Sequence, residues 1–227
     1  DIKTGEYMDW YPLWNSLRVA ALSTVLVFFL GLFAAYYIAK LPHWGKALLD
    51  VVLTLPLVLP PTVVGYFLLL AVGPRRPLGI WLTKMGVQLV MHWPGAVLAS
   101  TVVAFPLMYR TVRGALEAFD PNLKYAGQTL GLSNCYIFWH ITIPVCKNGI
   151  CAGAVLAFAR ALGEYGATSM IVGYIPQRTA TISTTVYQLW RTGDDPGAFF
   201  WVLVNLAISV VVLSIVNLME HPKHRMK

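Results

Sequence analysis

From Leu13 to Ala39 the chain carries a single charged side chain, Arg18, close to the start of the run. About 20 apolar residues in a helix cross a hydrocarbon core, and only helices or closed barrels satisfy their own backbone there. Comparable runs follow at about Leu48–Val72, Gly95–Thr111, after Pro144, and Ala198–Met219. They predict an all-α membrane protein with about five transmembrane helices. Composition agrees, with 57% of the 227 residues hydrophobic and 12% charged. No internal repeat, low-complexity tract or second domain interrupts the chain, so residues 1–227 read as one transmembrane domain. It opens at Asp1 rather than Met, as a processed or truncated start does.

The net charge of +7 does not point to nucleic acid. The cations flank the apolar spans, where lipid headgroups and topology account for them. Cys135, Cys146 and Cys151 are an odd set without metal-ligand spacing, and the five histidines are scattered. We therefore expect neither a disulfide framework nor a metal site. No phosphate-binding Gly-rich loop and no nucleophile–base constellation is present, so the chain is not expected to be an enzyme or to hydrolyse ATP by itself.

Residues 120–144 read DPNLKYAGQTLGLSNCYIFWHITIP, unlike a membrane span although apolar runs lie on either side. Asp120 is suited to cap a helix N-terminus and Pro121 to begin it. Leu123, Ala126, Gly127 and Leu130 then share one helical face, and Gly131 stops the helix. Ser133 is placed to cap a second helix carrying Tyr136 to Ile141, which Pro144 ends as the next apolar run starts. The expected result is a helix–turn–helix at a membrane surface.

Two further stretches carry information. The second span contains Pro56, Pro60, Pro61 and Gly65. Proline breaks helical hydrogen bonding, and in a membrane such breaks persist where neighbours or a cavity satisfy the freed carbonyls. These residues read as a bend for packing, as a pathway-lining or gating helix, or as both. The fourth span contains AFARALGEYGATSMIVG, with Arg160 and Glu164 at i, i+4. Ionisable side chains at membrane depth are costly and pair or face a cavity. The pair reads either as a packing ion pair or as part of an anion path or gate. Gly149, Gly153, Gly163 and Gly166 are small residues that allow close helix approach, and Asn205 and Ser209 are candidates for interhelical hydrogen bonds. Short surface helices are expected at Leu78–Val87 and Thr179–Trp190.

The loop carries a resemblance. Tyr125-Ala126-Gly127, three residues, Gly131, nine residues, then Ile141-Thr142-Ile143-Pro144 resembles the EAA loop of ABC importer membrane subunits. That pattern is Glu-Ala-Ala, three residues, Gly, nine residues, Ile-x-Leu-Pro. Tyr125 replaces the favoured Glu, Gly127 the second Ala, and Ile143 the Leu. The proline run, LPLVLPPTVVGY, resembles the corresponding stretch of molybdate-type permeases, and the ARALGEYGA stretch is similar to a signature of molybdate and sulfate permeases, Tyr165 standing for their Phe.

The resemblance implies a type I ABC importer-like fold with residues 120–144 as a cytoplasmic coupling loop, its contacts made through Tyr125, Ala126, Gly127, Gly131, Ile141, Ile143 and Pro144. It implies transport of molybdate or tungstate driven by ATP hydrolysis in a partner. The partners implied are a second copy of the chain, two cytoplasmic ABC ATPase subunits that bind the ATP and Mg, and an extracytoplasmic oxyanion-binding protein. Pro56, Pro60, Pro61, Gly65, Arg160 and Glu164 become the pathway or gate candidates. A sulfate or thiosulfate permease is the alternative within the family. A secondary anion transporter or channel using Arg160 and Glu164 is the alternative outside it.

Five spans place the termini on opposite sides. With the N-terminus outside a prokaryotic plasma membrane, nine cations lie inside (Lys40, Lys46, Arg110, Arg113, Lys124, Lys147, Lys223, Arg225 and Lys227) and seven outside (Lys3, Arg18, Arg75, Arg76, Lys84, Arg178 and Arg191). This orientation puts residues 120–144 in the cytoplasm, where an ATPase reaches them.

Overall fold

A computed structural model describes residues 9–220, with side chains to residue 215. Lys3, Lys223, Arg225 and Lys227, used above for topology, lie outside the described residues, as does the basic tail.

The described residues are helical and without strands, in the order α1 (Tyr11–Ile38), α2 (His43–Val58), α3 (Pro61–Val72), α4 (Pro77–Lys84), α5 (Trp93–Glu117), α6 (Pro121–Thr129), α7 (Asn134–Ile137), α8 (Ile143–Leu162), α9 (Gly166–Val172), α10 (Ile182–Arg191) and α11 (Asp195–Glu220). A π-helical turn, Phe138–Thr142, joins α7 to α8. Among the described residues four helices are long and apolar enough to cross a membrane: α1, α5, the α7–α8 rod (Asn134–Leu162) and α11; the bent α2–α3 pair makes a fifth if it counts as one span.

At the centre is α5, packed between α1 and α8. In hydrocarbon the apolar faces gain little from meeting each other, so close van der Waals contact holds the helices. Small residues supply it. A Cβ added to Gly31 would lie 2.7 Å from Met108 Cγ, one on Gly149 2.6 Å from Ala115 Cβ, and one on Gly153 3.0 Å from Met108 Sδ. Gly163, grouped above with these packing glycines, instead caps the end of α8 and approaches no other helix. The core is Val27, Leu32, Met108, Tyr109, Val112 and Ile150. By contrast α11 is peripheral, resting on α8 and α10.

Several boundaries differ from the sequence reading. The second span is not one kinked rod: α2 and α3 turn 114° at Leu59–Pro60. Two successive prolines remove two donors, and a residue before proline is driven out of the helical region. Leu59 (ψ 142°) and Pro60 (ψ 135°) are extended accordingly. The third span passes its expected end at Thr111 and runs to Glu117, because Arg113 and Glu117 find partners there. Pro144 does not end a helix. The rod runs through it, since the preceding π turn widens the helix where the ring would meet the carbonyl one turn back. Finally, Ser209 donates within its own helix to the Asn205 carbonyl, 2.8 Å, rather than across an interface.

The expected surface helices exist as α4 and α10. The second is fixed by a capping box in which the Thr181 hydroxyl accepts from the Thr184 N–H and the Thr184 hydroxyl from the Thr181 N–H. Aromatic residues mark the same end of the bundle: Trp10 meets Phe200 and Trp201 edge-on, and the Arg18 guanidinium lies 3.3 Å above the Trp93 ring.

Candidate functional site

Immediately after α5 the chain builds the helix pair. Asp120 Oδ1 accepts from the Asn122 N–H at 2.9 Å and starts α6. Gly131, at φ +76°, ends it, while the Leu132 N–H reaches back to the Gly127 carbonyl at 3.1 Å. Ser133 Oγ accepts from the Tyr136 N–H at 3.2 Å to start α7, and Gln128 Nε2 donates to Asn134 Oδ1 at 2.9 Å across the turn. Gly127 sits against Ile137: an added Cβ would lie 3.0 Å from Ile137 Cγ1 and 3.5 Å from Ile141 Cδ1. Glycine in place of the second alanine thus lets α6 seat on α7. Ile143 packs against the core, whereas Ala126 and Pro144 are exposed.

The outer face of the pair is apolar and unusually open. Tyr125 is 59% exposed and Leu130 78%, with Leu123, Tyr136 and Trp139 also exposed. Large apolar side chains exposed together in this way mark a surface that meets a partner or lipid.

Above the pair, a charged cluster ties α2 to the last turns of α5. Lys46 Nζ lies 2.8 Å from Glu117 Oε1. Arg113 donates through Nε to Glu117 at 2.9 Å and is also paired with Asp50. The Tyr109 hydroxyl donates to Asp50. A cleft of about 410 Å³, lined also by Thr54, Arg110 and Gly114, opens beside these groups. Lys46, Arg110 and Arg113, expected from the sequence only to set topology, thus meet at one cleft with Asp50, Tyr109 and Glu117, none of which was among the expected site residues. The legible signals were the i, i+4 pairs Lys46–Asp50 and Arg113–Glu117, which place acid and base together on two helix faces.

Far from the pair, about 30 Å along α8 for its 20 residues, lies the second group of candidates. Arg160 Nη1 and Glu164 Oε2 are 2.5 Å apart, with the Glu164 side chain 1% exposed. The other oxygen, Oε1, accepts from the Ala167 N–H at 2.7 Å and so caps α9. One carboxylate oxygen is thus hydrogen-bonded, and the other meets Arg160 as an ion pair only. On the opposite side of α9 sits α3. A Cβ on Gly65 would lie 2.8 Å from Ala167 Cα, and one on Gly166 2.9 Å from Pro61 Cβ. The fold therefore brings Pro61, Gly65 and the Glu164 segment together. Pro56 stays within α2, and Pro60 is exposed at the break.

The arrangement defines a polytopic helical membrane protein, with two helix breaks packed against each other and a short helix pair between two of its spans. Comparison with known proteins assigns it more closely. The model of the family "binding-protein-dependent transport system inner membrane component" matches residues 27–225. The molybdenum transport system permease protein ModB of Escherichia coli (strain K12) is 43% identical over 209 residues, covering 91% of each chain. The sulfate transport system permease protein CysW of Synechocystis is 32% identical, covering 89% of this chain and 73% of that one. Among solved structures, a bacterial alginate ABC transporter in complex with alginate pentasaccharide-bound periplasmic protein superposes with a TM-score of 0.72 at 20% identity, covering 98% of this chain and 80% of that one.

The chain belongs to the family of inner membrane components of binding-protein-dependent transport systems. It is a multi-pass membrane permease of the ABC importer kind, a transport subunit rather than an enzyme. The expected family and fold class are borne out.

Proposed function

We propose that this permease carries molybdate, or the closely similar tungstate, inward, driven by ATP hydrolysis in a partner subunit. The observation that carries the reading is the 43% identity to ModB along 91% of both chains, against 32% to CysW, which makes sulfate or thiosulfate the second reading. Two copies of the chain enclose the pathway, two cytoplasmic ATPase subunits hold ATP and Mg, and an extracytoplasmic binding protein delivers the oxyanion. The chain itself needs no cofactor. Its N-terminus is outside and its C-terminus cytoplasmic.

In this reading the exposed face of α6 and α7 docks on the ATPase. Tyr125, Ala126 and the turn at Gly131 meet the partner, while Gly127, Ile141, Ile143 and Pro144 hold the pair to the rod. A capped, tightly seated pair moves as a unit, so closure of the ATPases is passed on rather than absorbed. The bends at Pro56, Pro60 and Pro61, the Gly65 contact and the Arg160–Glu164 pair form the gating end.

ATP-dependent uptake of labelled molybdate tests the function, in vesicles holding this permease, its ATPase and a matching binding protein. Uptake that survives excess sulfate supports the proposal. Uptake abolished by sulfate moves the assignment to a sulfate system, and uptake without ATP returns a secondary transporter to consideration. Gly131→Val is expected to uncouple transport from hydrolysis. A β-branched residue at φ +76° costs of order 1–2 kcal/mol and reshapes the turn. Unchanged transport per ATP in Gly131→Val would remove the loop from the mechanism.

A further inference from the structure

We propose that the charged cluster between α2 and α5 makes the broken helix pair move with the coupling helices, and that Arg113 is its positioning residue. This rests on the proposed function.

The packing of α2 carries the argument. None of its residues is buried, although it is a helix of 16 residues. Lys46, Asp50, Leu53 and Thr54 follow one another at i, i+4, i+7 and i+8 and so share one face. Of these only Leu53 packs against the apolar core. The inner half of α2 is therefore held to the bundle largely by charge. Apolar contact between helices tolerates sliding, but the fork of a guanidinium fixes the position of the carboxylates it binds. Arg113 holds a carboxylate on each helix, Asp50 of α2 and Glu117 of its own. Lys46 closes the circuit from α2 to Glu117, and Tyr109, wholly buried, holds Asp50 from the bundle side.

Position does the rest. Glu117 is the last residue of α5, and Asp120 caps α6 just beyond it. Any displacement of the coupling pair reaches Glu117 through two intervening residues, Ala118 and Phe119. From Asp50 the path continues along α2 to the break at Pro60, into α3, and through Gly65 to α9 and Glu164. The charged groups are only partly shielded, with Asp50 24% and Arg113 21% exposed beside the open cleft.

The test measures molybdate uptake and ATP hydrolysis together in the reconstituted complex of permease, ATPase and binding protein. Asp50→Asn and Arg113→Gln are each expected to lower uptake per ATP hydrolysed at least fivefold, the lower edge of ordinary coupling between sites, while hydrolysis continues. Because the two residues act as one link, the double variant is expected to be no worse than the more severe single one. Tyr109→Phe, which keeps the buried ring, gives a smaller loss, and Arg113→Lys, lacking the fork, does not restore coupling. If Arg113→Gln fails to assemble with the ATPase, Asp50→Asn and Tyr109→Phe decide alone. Unchanged uptake per ATP in these variants, or losses that simply multiply in the double variant, would overturn the proposal. A wild-type complex without ATP-dependent uptake overturns the functional reading beneath it, a different result from normal wild-type transport with normally coupled variants.

Discussion

Glu164→Ala is expected to destabilise the protein by roughly 3 kcal/mol, the lower end for removing one partner of a buried ion pair. The lower end applies because the Arg160 side chain remains 29% exposed. Two losses combine. Arg160 is left as an uncompensated cation in the last turn of α8, and the Ala167 N–H loses the carboxylate that caps α9. The order of variants separates them. Glu164→Gln keeps an oxygen for the cap and removes only the charge, so it is expected to fall between wild type and Glu164→Ala. A double variant, Arg160→Met with Glu164→Gln, removes the unpaired cation and is expected to recover part of the loss. Thermal unfolding of the detergent-purified protein measures the series. A Glu164→Ala melting temperature equal to wild type would show that the pair does not hold the α8–α9 break together.

Gly65→Val is expected to be the most damaging single substitution in the broken pair. The first added carbon already falls 2.8 Å from Ala167 Cα and 3.0 Å from its carbonyl oxygen. Backbone does not yield as a flexible side chain does, so α3 has to move off α9. Overpacking of this kind costs about 1–3 kcal/mol, and here it also displaces the helix that closes against the Glu164 segment. On the proposed function, loss of molybdate uptake is expected together with a lower melting temperature. Gly114→Ala is the comparison: no neighbouring atom lies within 4 Å of the added carbon. Gly114 lies within α5, where alanine favours the helix by about 1 kcal/mol, so equal or higher stability is expected. Equal melting temperatures for Gly65→Val and wild type would show that α3 and α9 separate freely.

Much of the architecture was legible because the relevant physics is local. A long run with one charge, such as Leu13–Ala39, has to be a helix in lipid whatever surrounds it. Asp120, Gly131 and Ser133 act on backbone groups within a few residues, and each took the capping or stopping role its side chain favours. The Arg160–Glu164 pair was legible for the same reason, being one helical turn apart. The double proline announced a break but not its angle. The angle of 114° depends on what α3 meets after the turn, and that is α9, a segment distant in sequence.

The cluster at Asp50 shows the other side. In the sequence Asp50 and Glu117 each show only a base one turn away on their own helix, Lys46 and Arg113. Only the packing of α2 on α5 sets them around Arg113, because an ion pair between helices depends on their register, which short-range pattern does not encode. The sequence by itself determined that the chain crosses a membrane as helices, where the short helix pair at residues 120–144 begins and turns, and which prolines and charges interrupt the spans. Each is decided by backbone hydrogen bonding and hydrophobicity over a few residues. The tertiary structure alone decided that the Pro60 break rests on the Glu164 segment, that the rod continues through Pro144, and that α2 is held by charge. Those outcomes follow from which helix faces meet, and contacts between distant segments fix that.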